Sequence, residues 1–189
     1  AAVGTGLVQL GDSGFVSPRS TLNLDSPNMD LQNDLYIQRW YAAGNLYFHQ
    51  DTQSISGDID IDMPTFGSFV IGARNDGNDV LSIYGSISAR SASGGISFDS
   101  WEFNASLGGT FRLYGDNSDL RGRLAIDTAS KLELYHNNAL GSRYPVTVEM
   151  GWNNPTLRIG QGVRVGTNAV VAVDQAWPVN LNANALIGV

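Results

Sequence analysis

Period-two alternation is the feature that most constrains this chain. Ser54-Ile55-Ser56-Gly57-Asp58-Ile59-Asp60-Ile61-Asp62 alternates strictly, with isoleucines on one face and carboxylates on the other, until Pro64 stops it. Similar short runs follow at Phe69 to Ala73, Val80 to Tyr84, Ser86 to Ala89, Ile96 to Phe103, Thr110 to Tyr114, Arg123 to Asp127 and Lys131 to Tyr135. Others lie at Val146 to Met150, Thr156 to Ile159, Val163 to Val165 and Ala169 to Val173. Gly, Asn and Asp separate many of them, the pattern of an all-β chain. Asp34 to Tyr41, Ala42-Ala43-Gly44-Asn45 and Leu46 to Gln50 read as a β-hairpin. So do the strands flanking Asn75-Asp76-Gly77-Asn78, a turn whose residues tolerate positive φ. The fold expected is therefore short antiparallel strands and hairpins. A helix starting at Ser26-Pro27, before Leu31 and Leu35, competes with the first hairpin.

A weak repeat runs through these strands. Leu81-Ser82-Ile83-Tyr84-Gly85 returns as Phe111-Arg112-Leu113-Tyr114-Gly115, then Leu132-Glu133-Leu134-Tyr135-His136, and in shortened form as Leu157-Arg158-Ile159-Gly160, at offsets of 30, 21 and 25 residues. A solenoid stacks one rung on the last and calls for a fixed period. The uneven offsets point instead to hairpins stacked along an axis, their apolar edges covered by neighbouring chains.

Composition excludes several partners. The chain holds 18 acidic and 11 basic residues, with a net charge of −7, and Lys131 is its one lysine. Nucleic acid and anionic membranes need clustered Lys and Arg, so neither is an expected partner. No apolar run reaches the length of a membrane span. Zero cysteine removes disulfides and thiolate metal sites. The 22 Gly, with abundant Asn and Ser, suit an extracellular β-structured chain. A start without methionine or a signal peptide reads as a fragment or a processed chain.

Gly6-Leu7-Val8-Gln9-Leu10, followed by Gly11-Asp12-Ser13 and a Ser/Thr/Asn-rich stretch to Asn23, is a short strand with Leu7 and Gln9 opposite Val8 and Leu10. This box and connector resemble the motif that recurs along bacteriophage tail fibres and the fibres of contractile phage-tail-like bacteriocins. The resemblance implies an intertwined homotrimeric fibre or tip domain, located on the virion, that attaches to a bacterial surface polysaccharide or lipopolysaccharide. Residues 1–33 would be the N-terminal connecting segment, 34–135 the hairpin body and 136–189 the C-terminal tip nearer the host. Two alternatives stay open: a purely structural shaft or collar, and a secreted carbohydrate-binding β-sandwich.

Catalysis finds little support. His49 and His136 are the only bases for a Ser-His-Asp triad, and neither lies in a recognisable nucleophile elbow. Glu102, Glu133 and Glu149 could pair for glycoside hydrolysis, but each sits in an alternating strand as an outward, solvated carboxylate. No catalytic residue, metal or cofactor is assigned. Asp58, Asp60 and Asp62 on one strand face, or Asp76 to Asp79 and Asp116 to Asp119 in turns, could offer oxygen ligands, though none has EF-hand spacing.

Sugar rings stack on Trp or Tyr while amides, carboxylates and Arg bond their hydroxyls. Tyr36, Arg39, Trp40 and Tyr41 form one such cluster, and Trp101 and Phe103 another. Trp40, Trp101 and Trp177 punctuate apolar strands and read as packing residues. The cluster chosen as the glycan-binding surface is His136, Arg143, Tyr144, Trp152, Asn153 and Asn154, whose turn positions keep its aromatics and amides from strand packing.

Overall fold

A computed structural model describes residues 6–11, 21–38, 44–48, 52–62, 68–73, 79–90, 95–99, 109–126, 129–150, 155–165, 169–173, 179–181 and 186–187. Among them are twenty strands and no helix, and the chain is all-β as its alternation predicts. The strands are β1 (Val8–Leu10), β2 (Thr21–Leu24), β3 (Asp30–Leu31), β4 (Leu35–Gln38), β5 (Gly44–Phe48), β6 (Thr52–Ile55), β7 (Ile59–Asp62), β8 (Ser68–Ala73), β9 (Val80–Ile83) and β10 (Ile87–Ala89). They continue as β11 (Gly95–Asp99), β12 (Thr110–Leu113), β13 (Gly122–Ile126), β14 (Lys131–Leu134), β15 (Val146–Met150), β16 (Thr156–Ile159), β17 (Arg164–Val165), β18 (Ala169–Val173), β19 (Val179–Leu181) and β20 (Leu186–Ile187).

Every pairing is parallel, which corrects the antiparallel expectation. Sheet A runs β1-β4-β7-β10, sheet B from β2 through β5, β8, β11, β13 and β15 to β18, and sheet C from β3 through β6, β9, β12, β14 and β16 to β19. The short sheet D joins β17 to β20. The chain visits sheets B, C and A in turn and then starts again one rung along: a three-sided parallel β-solenoid, not a sandwich. Parallel neighbours need a crossover of a dozen or more residues, and here two other strands fill it as far as β11, and one other strand between β11 and β16. The two expected hairpins are therefore not hairpins. β4 lies in sheet A and β5 in sheet B, while β8 lies in sheet B and β9 in sheet C.

The repeat read in the sequence is the stack of sheet C itself. Leu81, Phe111, Leu132 and Leu157 are register partners, as are Ile83, Leu113, Leu134 and Ile159. Their offsets of 30, 21 and 25 break no register, because residues gained or lost fall between strands. A solenoid therefore tolerates coils of unequal length. Rungs fix only the strands.

Alternation on three successive sides points the apolar residues at one axis. Leu31, Ile55, Ile83, Leu113, Leu134 and Ile159 are buried in one column of sheet C, beside Leu46 and Ile71 of sheet B and Ile37 and Ile61 of sheet A. Phe48 and Phe111 meet edge to face across this core at 5.4 Å. Gln53 stands in an otherwise apolar column, and its amide donates to the carbonyls of Leu24 (2.9 Å) and Ser26 (2.6 Å), fixing the turn after β2. No helix forms at Ser26: Asn28 takes a positive φ of 55°, and Leu31 and Leu35 enter separate strands.

The run from Ser54 to Asp62, expected as one strand, bends at Gly57 into β6 and β7. A Cβ on Gly57 would stand 2.1 Å from the Asn33 carbonyl oxygen, one on Gly85 2.0 Å from that of Gly57, and one on Gly115 2.0 Å from that of Gly85. This corner between sheets C and A thus closes by backbone packing on backbone. Sheet A stops after β10, where Asn117 takes over. Its side-chain oxygen accepts the Ile87 N–H (2.7 Å) and its amide donates to the Ala139 carbonyl (2.9 Å).

The Gly6 to Leu10 box enters this frame as expected. Val8 and Leu10 turn toward the core, while Leu7 and Gln9 are exposed. β1 lies at the end of sheet A, its Val8, Gln9 and Leu10 in register with Leu35, Tyr36 and Ile37.

Candidate functional site

The outer face of sheet C carries a connected set of ion pairs and stacked rings. On β12, β14 and β16 the outward residues Arg112, Glu133 and Arg158 are register partners. Arg112 Nε lies 2.9 Å from Glu133 Oε2, and Arg158 Nη1 lies 3.1 Å from Oε1. One carboxylate thus binds two guanidiniums from the rungs on either side. Tyr135 also donates its hydroxyl to Glu133 Oε2 (3.0 Å). Glu133 was expected to be solvated, but its side chain is only 9% exposed beneath these partners.

Burial alone would raise the Glu133 carboxyl, but hydrogen bonds from Arg112, Tyr135 and Arg158 outweigh it and hold it below its ordinary range. A carboxyl depressed in the fold adds stability above its unfolded value, near 4.5, and loses it as pH falls through the folded value. Glu133→Gln is expected to cost about 1–2 kcal/mol at pH 7. That is below the cost of breaking a fully buried pair, because Arg112 and Arg158 are each more than a third exposed. The gap from wild type should shrink toward pH 3, which urea titrations at both pH values would measure. An undiminished gap would contradict this sign.

The residue after each of three strands is a tyrosine. Ile83, Leu113 and Leu134 face inward, so Tyr84, Tyr114 and Tyr135 face out, and their amides continue the ladder by donating to the carbonyls of Ile55, Ile83 and Leu113. Tyr84 and Tyr114 stack at 4.8 Å and 18°, and Tyr114 and Tyr135 at 4.6 Å and 8°. These distances match the spacing of adjacent strands, about 4.7–4.9 Å, so backbone pitch alone brings the rings face to face. Tyr84 is 54% and Tyr135 37% exposed. Burial, and for Tyr135 the bond to Glu133, pushes the phenols of Tyr114 and Tyr135 up, so these two rings stay uncharged at neutral pH.

The residues singled out in the sequence fare unevenly. His136, Arg143 and Tyr144 share the turn region after β14. Arg143 pairs with Asp119 (2.9 Å), and the Arg121 guanidinium lies 3.5 Å over the Tyr144 ring. His136 Nδ1 accepts the Asn138 N–H (3.2 Å), a turn-forming role. Asp116 accepts bonds from the Ser118 hydroxyl and from Asn138, which hold its carboxyl low; Ser118 is thereby directed to Asp116 rather than to His136. Trp152, Asn153 and Asn154 lie outside the described residues, as do His49, Arg39, Trp40, Tyr41, Trp101, Glu102, Phe103, Trp177 and Asp76 to Asn78. Asp58 accepts the Ser86 N–H, Asp60 pairs with Arg90, and Asp62 accepts from Tyr36, so the three aligned carboxylates each have a protein partner. Glu149 is paired with Arg123 at 2.5 Å.

The sequence signal for the tyrosine column is the repeat itself, with Tyr at the same place in three copies. Comparison with protein-family models, curated proteins and solved structures found no match.

Proposed function

We propose that this solenoid is a non-enzymatic glycan-binding segment of a phage tail fibre or related receptor-binding protein, attaching the particle to a bacterial surface polysaccharide. The observation that carries the reading is the stacked column Tyr84-Tyr114-Tyr135, exposed at Tyr84 and Tyr135, beside Arg112, Glu133 and Arg158. It is a straight apolar and hydrogen-bonding track parallel to the solenoid axis, and an extended polymer can lie along it. Glu133, held ionised by two guanidiniums, is a poor general acid, which favours binding over cleavage. The Gly6 to Leu10 box supplies the fibre context, and with it trimeric assembly and a virion location.

Wild-type protein is expected to adsorb to host cells and to leave the length of purified surface polysaccharide unchanged on size-exclusion chromatography. Tyr135→Ala should weaken adsorption roughly tenfold, a loss of about 1–2 kcal/mol per site, while the fold persists. Adsorption equal to wild type would remove the column from the binding surface, and shortened polysaccharide would make the protein an enzyme.

A further inference from the structure

The tyrosine column ends at Tyr84, and the way it ends is specific. One face of Tyr84 is covered by Tyr114, the residue remains 54% exposed, and no second aromatic ring stacks on it among the described residues. On the side away from Tyr114 the preceding rung carries Ser56, exposed and small, where a further ring would continue the stack. The notch is one rung high, about 4.8 Å, the thickness of one stacked ring.

Its floor is organised. Asp30, one rung further down, accepts the Ser54 hydroxyl at Oδ1 (2.8 Å) and the Ser56 hydroxyl at Oδ2 (2.7 Å). The carboxylate is thereby held against the rung of Ser54 and Ser56, which lies between it and Tyr84. Each of its oxygens keeps a second acceptor position. An aromatic face above a fixed acceptor pair suits a ring with apolar C–H faces and hydroxyl donors at its edge. A carboxylated or sulfated ring would be repelled, because the guanidinium next along this outward column, Arg112, lies beyond Ser54 and Ser82.

We infer that the Tyr84 face, Ser56 and the Asp30 carboxylate form a terminal subsite for one uncharged pyranose of the bound glycan. This rests on the glycan-binding reading above and adds the position and class of one sugar.

The test uses the whole chain against an array of bacterial surface polysaccharides together with neutral gluco- and galacto-oligosaccharides and oligogalacturonate of equal length. Neutral oligosaccharides should bind and oligogalacturonate should bind more weakly. Ser56→Tyr, which places a fourth ring in the notch, should reduce neutral-sugar affinity about tenfold or more while circular dichroism stays that of wild type. Asp30→Asn should reduce it several-fold. A folded Ser56→Tyr protein with wild-type affinity overturns the subsite. If that variant misfolds, Tyr84→Ala must show the same loss, and undiminished binding there overturns it equally. Preference for oligogalacturonate overturns the sugar class alone. Absence of wild-type binding to any array member overturns the glycan-binding reading itself.

Discussion

Gly85→Ala is expected to destabilise the protein by about 3 kcal/mol or more, although it adds only one methyl group. The added carbon would sit 2.0 Å from the Gly57 carbonyl oxygen and 2.5 Å from its carbon. No side chain can move aside to relieve this, because the obstacle is backbone. Gly57 is itself held against Asn33, and Gly115 against Gly85, so a shift at one rung is resisted by both neighbours. Gly162→Ala is the control: its φ of +75° strains any side chain, but nothing lies within 4 Å, and a cost of about 1 kcal/mol is expected. Urea midpoints for the two variants would rank them. Equal midpoints would mean that the corner accommodates a side chain and that the glycine column does not set its shape.

Asn117→Ala is expected to cost about 3 kcal/mol. Asn117 is 1% exposed, and its side chain does the work of a missing strand by accepting the Ile87 N–H and donating to the Ala139 carbonyl. Truncation leaves both backbone groups without their partner in a buried place, at about 1–3 kcal/mol each, and the surroundings recover part of this by relaxing. A local readout separates this account from general loosening. The Ile87 amide should lose much of its protection from hydrogen exchange, while the Leu113 amide in sheet C keeps its own. Protection retained at Ile87 would show that β10 does not depend on Asn117.

The strands themselves were legible, and most of the expected strands coincide with observed ones to within a residue or two. Alternation reports only that a strand has one buried face, and it looks the same in a hairpin and in a solenoid rung. The difference lies in where the chain goes next. Gly57, set in an unbroken alternation of serines, isoleucines and aspartates, gives no local sign that it turns a corner; the sign is its close approach to Asn33, a residue 24 positions earlier. The uneven repeat holds the answer, because the strands keep register while whole coils keep no fixed period. The tyrosines follow the same logic. Read as a fixed rung position, Tyr84, Tyr114 and Tyr135 must stack. Read as the ends of separate hairpins, they have no reason to meet. A tryptophan in a turn, such as Trp152, is the stronger signal taken singly.

Stacking strands along an axis also decides how the molecule answers a pull. Hydrogen bonds between rungs point along that axis, so tension between the two ends opens them as a zipper, one coil after another, instead of shearing many at once. A coil such as that from Leu22 to its register partner Leu46 occupies one strand spacing, about 4.8 Å, while folded. Unravelled, its residues would span roughly 80 Å. A solenoid pulled at both ends would therefore yield by long, discrete increments under load, spending the energy of a tug on one coil after another.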